Sequence, residues 1–305
     1  MKILVTGGAG FIGSNIIDSY ILNGHDVVVL DNFYSGKKEY INPKTTFYEM
    51  DVTDKKISDI FSKERFDIVN HHAAQMNVRL SVEDPIFDAK INVLGILNLL
   101  ENCRKYGVKK FIFASSGGAV YGDQDKYPIS EDAKRKPYSP YGMSKKISED
   151  YIDYFHRIYG LKYTNLRYPN VYGPRQNPHG EAGIVAIFLD LLINNQNVKI
   201  YGDGTQIRDY IFISDVVKAN NIVLNKGDNN SFNVGTGVPT NVNQIYEKLK
   251  KITNSNGVSV NVSKKEGDVM KNYLNSGKAK SFLDWEHKID LDQGLKLTYE
   301  WFRTK

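Results

Sequence analysis

Tyr141 and Lys145 stand four positions apart in the run Pro140-Tyr141-Gly142-Met143-Ser144-Lys145. On a helix this spacing puts both side chains on one face. A free phenol has a pKa of about 10 and is a poor base at neutral pH. A neighbouring ammonium favours the phenolate. Bringing the phenol to about pH 7 takes roughly 3 pKa units, or about 4 kcal/mol of differential stabilisation. One lysine together with a cationic nicotinamide ring is a source of that size. Alone, the pair fits an amphipathic helix with an exposed lysine better than it fits chemistry. A nucleotide-binding motif upstream turns the balance toward chemistry.

That motif is Thr6-Gly7-Gly8-Ala9-Gly10-Phe11-Ile12-Gly13-Ser14, between a first strand and a first helix. Gly7 permits the tight turn, Gly10 lets backbone amides approach a pyrophosphate, and Gly13 lets helix and strand pack closely. The helix start offers unpaired N–H groups and partial positive charge. Asp31 ends the second predicted strand at the spacing expected of a ribose-binding acid, which selects NAD over NADP. Lys37 and Lys38 nearby are the only residues that argue for NADP. Asp51 closes the third strand, where it either bonds adenine or caps the next helix. His71 and His72 are adjacent on the fourth strand and point to opposite faces, so they do not chelate one metal. No metal is expected. Small Ala73 and Ala74 let a cofactor lie close.

The elements that must position these residues alternate. Strands are predicted at Lys2–Thr6, Asp26–Leu30, Thr46–Met50, Ile68–His71, Lys110–Ala114 and Tyr163–Arg167. Helices are predicted at Ile12–Asn23, Ile57–Lys63, Asp88–Tyr106 and Ser144–Tyr159. This is the pattern of an α/β protein with a doubly wound parallel Rossmann sheet. Beyond about residue 170, loops rich in Gly, Asn and Pro separate shorter elements, which reads as a smaller C-terminal substrate-binding lobe. The division expected is residues 1–170 for the dinucleotide domain, joined by elements near 210–235, and 171–305 for the lobe. The net charge of +5 is spread among acidic residues without a basic block, which argues against nucleic acid and suits an anionic small substrate. Cys103 is the single cysteine, so neither an intrachain disulfide nor a cysteine zinc cluster is possible. No apolar stretch is long enough to span a bilayer.

With these residues in hand, the chain resembles the extended short-chain dehydrogenase/reductase family and, within it, the UDP-glucose (UDP-galactose) 4-epimerases. The matching motifs are Thr6–Ser14, Asp31-Asn32-Phe33-Tyr34-Ser35-Gly36, His72-Ala73-Ala74-Gln75, Ser115-Ser116-Gly117-Gly118-Ala119-Val120-Tyr121-Gly122, Pro140–Lys145, Leu166–Arg175 and Arg208-Asp209-Tyr210. The resemblance implies NAD as cofactor, held by Gly7, Gly10, Phe11, Ile12 and Gly13. Further contacts are implied from Asp31, Asn32, Ser35, Gly36, Asp51 and Val52, from His72, Ala73, Ala74, Gln75 and Asn92, and from Ser115, Tyr141, Lys145, Tyr168 and Val171.

It implies Tyr141 as the base at the sugar 4-hydroxyl, with Lys145 holding the nicotinamide ribose and lowering the Tyr141 pKa. For a UDP-sugar substrate it implies Asn170 and Arg208 at the diphosphate, Lys199, Ile200 and Tyr201 beside uracil, and Asp268 on a ribose hydroxyl. Ile184 and Val185 complete that side. Lys265 stands where the family usually has Arg, keeping the charge without the bidentate geometry. Asn272 stands where some relatives carry a bulky Tyr, leaving room for an N-acetyl group. Relatives commonly form homodimers through the helices Asp88–Tyr106 and Ser144–Tyr159, and the expected location is cytoplasmic.

One departure bears on mechanism. The family's catalytic Ser/Thr lies three residues before the Val of Val-Tyr-Gly, and here that position is Gly117. Ser116 substitutes for it, or the backbone and a water do, or the substrate passes its proton directly to Tyr141. On this reading a Ser or Thr at 117 raises turnover. The lead activity is a 4-epimerase; UDP-N-acetylglucosamine and UDP-glucuronate are alternative substrates. A 4,6-dehydratase would have Asp-Glu where this chain has Gly118-Ala119. A non-catalytic NAD-binding scaffold is the reading from a different class.

Overall fold

The computed structural model describes residues 1–179, 183–263 and 269–304. Seven strands form one parallel sheet: β1 (Lys2–Thr6), β2 (Asp26–Asp31), β3 (Thr46–Glu49), β4 (Ile68–His71), β5 (Lys110–Ser116), β6 (Lys162–Tyr168) and an edge strand, Asn230–Asn233. Their spatial order is Asn230–Asn233, β6, β5, β4, β1, β2, β3. The chain therefore reverses direction between β1 and β4, and a dinucleotide fold binds its ligand outside the carboxyl ends of the strands at such a point. All the strand carboxyl ends that carry the candidate site residues lie along that one edge.

A parallel sheet is buried on both faces, which explains the near-continuous apolar runs. Leu4, Val28, Leu30, Val69, Phe111 and Phe113 face one layer of the core. Ile3, Val5, Val27, Val29, Ile68 and Ile112 face the other. The first layer is closed by α2 (Ile57–Glu64) and by two long helical runs described below. The second is closed by α1 (Phe11–Leu22) and by later helices at Ile184–Ile193 and Ile213–Ile222.

A short helix, α3 (Val78–Glu83), which the apolar periodicity did not signal, follows the β4 loop. The stretch expected as one helix from Asp88 begins earlier, at α4 (Pro85–Ala89), with Asp84 capping Phe87 N at 2.9 Å and Pro85 in the first turn. It passes through a π turn at Lys90–Leu94 into α5 (Gly95–Tyr106). The π turn places Asp88 and Asn92 side by side. The next helix, α6 (Pro140–Tyr159), starts four residues before the expected Ser144. Pro140 there is the favoured first helical residue rather than a breaker, and the Ser139 hydroxyl accepts Gly142 N at 3.1 Å as the cap. Tyr141 consequently lies in the first turn of α6.

After β6 the chain runs through β7 (Asn170–Tyr172), α7 (Ile184–Ile193), β8 (Val198–Tyr201), β9 (Ile207–Arg208), β10 (Tyr210–Phe212) and α8 (Ile213–Ile222). The edge strand of the main sheet, Asn230–Asn233, is β11. Then follow β12 (Thr240–Asn241), α9 (Val242–Thr253), β13 (Ser259–Val262), α10 (Gly277–Leu283) and α11 (Leu291–Phe302). Three small pairs, β7 with β10, β9 with β12 and β8 with β13, build the region over the sheet edge. The composition of residues 225–230 reads as a loop between two shorter elements, and β11 begins at its last residue. The strand's polar sequence Asn-Ser-Phe-Asn is held by pairing with β6, by burying Phe232 and by hydrogen bonds of Asn233 with Tyr121, Glu131 and Ile129. Among the described residues, no helix is long and apolar enough to cross a membrane.

Candidate functional site

The glycine turn is built as its spacing requires. Gly7 has φ +69°, and a Cβ there would lie 2.6 Å from Ala73 N. A Cβ on Gly13 would lie 2.3 Å from Gly7 O, so only glycine lets α1 sit this close to the turn. Gly10 caps α1 without a side-chain hydrogen bond, leaving the first-turn amides of Phe11 and Ile12 for an anion. Asp31 is buried, and its carboxylate accepts Ala9 N at 2.9 Å and Phe33 N at 2.8 Å. Burial raises its pKa, and the backbone donors of Phe33 and Ala9 oppose that rise. Gly36 packs on the same carboxylate, where a Cβ would come within 3.0 Å of Asp31 Oδ1. This cradle of glycines, free helix amides and a buried acid fits a dinucleotide.

Asn32 donates to Asp51 Oδ2 at 2.7 Å, and the Thr53 amide and hydroxyl donate to Asp51 Oδ1. Because α2 begins at Ile57, Asp51 does not cap it. Val52 packs beneath Gly95 of α5. Ser35, Gly36, Ala74 and Gln75 line a cavity of about 460 Å³ together with Tyr34 and Met76. The Lys37 ammonium lies over the Tyr40 ring, 5.7 Å from its centroid.

His71 shares a 2.7 Å hydrogen bond with Thr6 Oγ1, while His72 stacks on Tyr168 at 6.4 Å between ring centroids. Burial lowers the pKa of His72 to about 3, with Lys145 acting in the same direction. The two rings do part to opposite sides. Among the described residues no group of His, Cys, Asp or Glu is placed to hold a metal.

The reacting groups meet where β5, β6 and α6 converge. Tyr141 is half-buried in the first turn of α6, and the Ser116 hydroxyl is the side chain that favours its phenolate. Burial pushes the phenol up to about 12; Ser116 pulls against this and Asp88 adds to it. Lys145 donates to Ala114 O at 2.8 Å, and its Nζ is 5.8 Å from the Tyr141 ring centroid. Burial lowers Lys145 to about 8, although Asp88 and Glu149 both favour its ammonium. In the protein alone burial is the largest influence on the phenol and Ser116 opposes it, with Lys145 beside the ring.

Gly117 also departs from expectation. Its amide donates to Tyr168 O at 2.8 Å, and a Cβ would point at Leu274 Cδ1, only 2.5 Å away. A side chain at 117 would run into a buried leucine. Asn272 is buried and donates to Gly117 O at 3.0 Å, and its Oδ1 has no hydrogen-bond partner among the described residues.

The remaining predicted residues are spread more widely. Asn170 is exposed and donates to Asp209 O at 3.2 Å. Arg208 is half-buried on β9 and donates to Ile207 O at 2.9 Å. Lys199 is exposed, Ile200 is a core residue, and the Tyr201 ring lies under the Arg79 guanidinium at 5.3 Å. At the start of α7, Ile184 is half-buried, and the Val185 side chain belongs to the core. Val171 is half-buried on β7. Lys265 and Asp268 lie outside the described residues.

Sequence reasoning missed the polar groups that hold the site. Glu149 is buried, accepts Ser115 Oγ at 2.6 Å and pairs with Arg167 through Nε at 2.9 Å and Nη2 at 2.6 Å. Arg135 joins at 3.0 Å. Arg167 continues to the Tyr121 hydroxyl at 2.7 Å, which donates to Asn233 Oδ1 at 2.7 Å. The one signal for Glu149 was its place four residues beyond Lys145. Asp209 accepts Thr236 N, Gly237 N and Leu274 N, tying three loops together. Asp88 carried no sequence signal.

A tyrosine–lysine pair at the carboxyl edge of a doubly wound dinucleotide sheet defines the short-chain dehydrogenase/reductase class. The chain matches the NAD dependent epimerase/dehydratase family over residues 3–235 and belongs to it. A UDP-glucose 4-epimerase of Mycolicibacterium smegmatis is 39% identical over 311 residues, spanning 100% of this chain and 99% of that protein. The crystal structure of UDP-glucose 4-epimerase with UDP-glucose from Thermotoga maritima matches with a TM-score of 0.98 and 51% identity, over 100% of this chain and 99% of that one. The UDP-glucose 4-epimerase of Thermus thermophilus, in complex with NAD, matches with a TM-score of 0.96 and 39% identity, over 99% of both chains.

Proposed function

We propose that this enzyme is an NAD-dependent UDP-glucose/UDP-galactose 4-epimerase, an isomerase that inverts C4 through a transient 4-keto sugar. The observation that carries the chemistry is Tyr141 in the first turn of α6 with the Lys145 ammonium 5.8 Å from its ring centroid, at the carboxyl edge of the NAD-type sheet. When bound, the nicotinamide supplies a hydride acceptor and, later, a hydride donor at C4.

The protein's own groups do the rest. The free amides at the start of α1 hold the pyrophosphate. Asp31 holds the ribose and repels a 2′-phosphate, favouring NAD. Tyr141 takes the 4-hydroxyl proton, Ser116 steadies the phenolate by donating to it, and Lys145 orients the nicotinamide ribose. After the keto sugar turns about its diphosphate linkage, Tyr141 returns the proton on the other face. Asn170, Arg208, Lys265 and Asp268 form the nucleotide handle in this reading. Gly118 and Ala119 have no proton-transferring side chain, which disfavours the 4,6-dehydratase.

Residues 1–170 with β11 bind the dinucleotide, and most of 171–305 binds the nucleotide sugar. The reading includes a cytoplasmic homodimer acting in galactose metabolism. The homodimer is supported by the apolar surface that α6 leaves exposed at Tyr151, Tyr154, Ile158 and Tyr159, next to Arg104 of α5, 5.1 Å from the Tyr159 ring.

The test is turnover of UDP-galactose by purified protein without added NAD. UDP-glucose should form, with an isotopic label at C4 retained on the sugar. Label lost to solvent, or a 4-keto-6-deoxy product, refutes the reading. Free hexoses should not react. Asn272 leaves room for the N-acetylated pair, which the same assay compares.

A further inference from the structure

Asp88 is a fully buried carboxylate that the reaction above does not use. Its Oδ1 accepts Gln75 Nε2 at 2.8 Å and Asn92 Nδ2 at 2.9 Å, and its Oδ2 accepts the Ser144 hydroxyl at 2.6 Å. All three donors are neutral, so the charge is solvated by dipoles and not cancelled. The other buried carboxylate nearby, Glu149, is cancelled directly by Arg167 at 2.6 Å and Arg135 at 3.0 Å. Lys145 is the complementary case. Its ammonium donates to the Ala114 carbonyl and lies 4.6 Å from the Phe113 ring centroid, and among the described ion pairs no carboxylate touches it. Around the catalytic helix, Asp88 and Lys145 are thus the two buried charges left without a contacting counter-ion among the described residues. They are joined through Ser144, the residue before Lys145 on α6.

We propose that Asp88 is a positioning residue of the reaction, a buried carboxylate that tethers the catalytic helix through Ser144 and supplies the counter-charge that keeps Lys145 an ammonium while Tyr141 releases and retakes its proton. This rests on Tyr141 being the base. The charged and titratable groups facing Lys145 are Asp88 from α4, Tyr141 and Glu149 from α6, and His71 at the end of β4 with His72 just beyond it; β5 presents Phe113 and Ala114. The two carboxylates favour the ammonium, and the two imidazoles are held neutral by burial and by Lys145 itself. Asp88 also opposes the phenolate. Removing its charge therefore eases proton loss from both groups. Activity requires Tyr141 deprotonated and Lys145 protonated, so both limbs of the pH profile move the same way, toward acid.

The experiment measures kcat/KM for UDP-galactose against pH on the NAD-loaded enzyme, for wild type, Asp88→Asn, Asp88→Ser and Ser144→Ala. Both limbs should move acidward by about half a pH unit or more in the Asp88 variants. Ser144→Ala removes the tether and leaves the charge, so its rate should fall with the limbs in place. Asp88→Ser decides the matter if Asp88→Asn does not fold. Unmoved limbs in a folded, NAD-loaded Asp88 variant, or the same shift in Ser144→Ala, overturn the inference. A Tyr141→Phe enzyme with normal turnover would instead remove the base, and with it the reading of the reaction. An inactive Tyr141→Phe beside unmoved Asp88 limbs defeats the role of Asp88 alone.

Discussion

Replacing Ser116 by Ala separates a hydroxyl that stabilises the phenolate from one that transfers the proton itself. Burial carries the Tyr141 phenol up to about 12, and the Ser116 hydroxyl opposes the rise. A hydrogen bond to a charged group contributes about 1.5–3 kcal/mol, which corresponds to roughly 1–2 pKa units. Its loss destabilises the phenolate, so the Tyr141 pKa rises and the acid limb of kcat/KM moves to higher pH by that amount. Near neutral pH, turnover should then fall by about 10–100-fold, recovering as the pH is raised. Tyr141→Phe should instead lose about 10²–10⁴-fold at every pH, because no group is left to titrate. The assay follows UDP-glucose formation from UDP-galactose by chromatography across the pH range, with thermal melting and bound NAD as folding controls. If folded Ser116→Ala is as inactive as Tyr141→Phe at high pH as well, Ser116 is a proton-transfer group and the stabiliser argument fails.

Gly117→Ser should not raise turnover. Its Cβ meets buried Leu274 at 2.5 Å, and overpacking of that kind costs about 1–3 kcal/mol, so a lower melting temperature is the expected result and enhanced kcat the contrary one. Glu149→Ala strips the buried Arg167 of its carboxylate partner. Breaking such a pair costs about 3–5 kcal/mol, roughly a 5–15 °C fall in Tm, and an unchanged melt would show the pair to be dispensable. Asp31 should make NAD bind more tightly than NADP, measured on cofactor-free protein; equal or tighter NADP binding would mean that Lys37 or Lys38 outweighs the buried carboxylate.

What could be read in the chain alone was local. The glycine turn, Asp31 at the end of β2 and the Tyr141–Lys145 spacing each depend on a few neighbouring residues obeying strand or helix geometry, so their types and intervals carry the information. The alternation of apolar strands gave the doubly wound class for the same reason. Helix starts were less legible: Pro140 and Asp84–Pro85 look like breaks until the caps are seen. The tertiary structure decided everything that depends on direction. Ser116 is carried to the site because β5 continues to that residue, and Gly117 turns its missing side chain toward Leu274, a residue far along the chain. The polar strand Asn230–Asn233 forms where β6 offers it an edge and where Tyr121 and Glu131, far along the chain, bond Asn233. Whether a buried acid is cancelled, as Glu149 is by Arg167, or left to dipoles, as Asp88 is, depends on which distant donors folding brings within hydrogen-bonding reach, and no spacing along the chain encodes that.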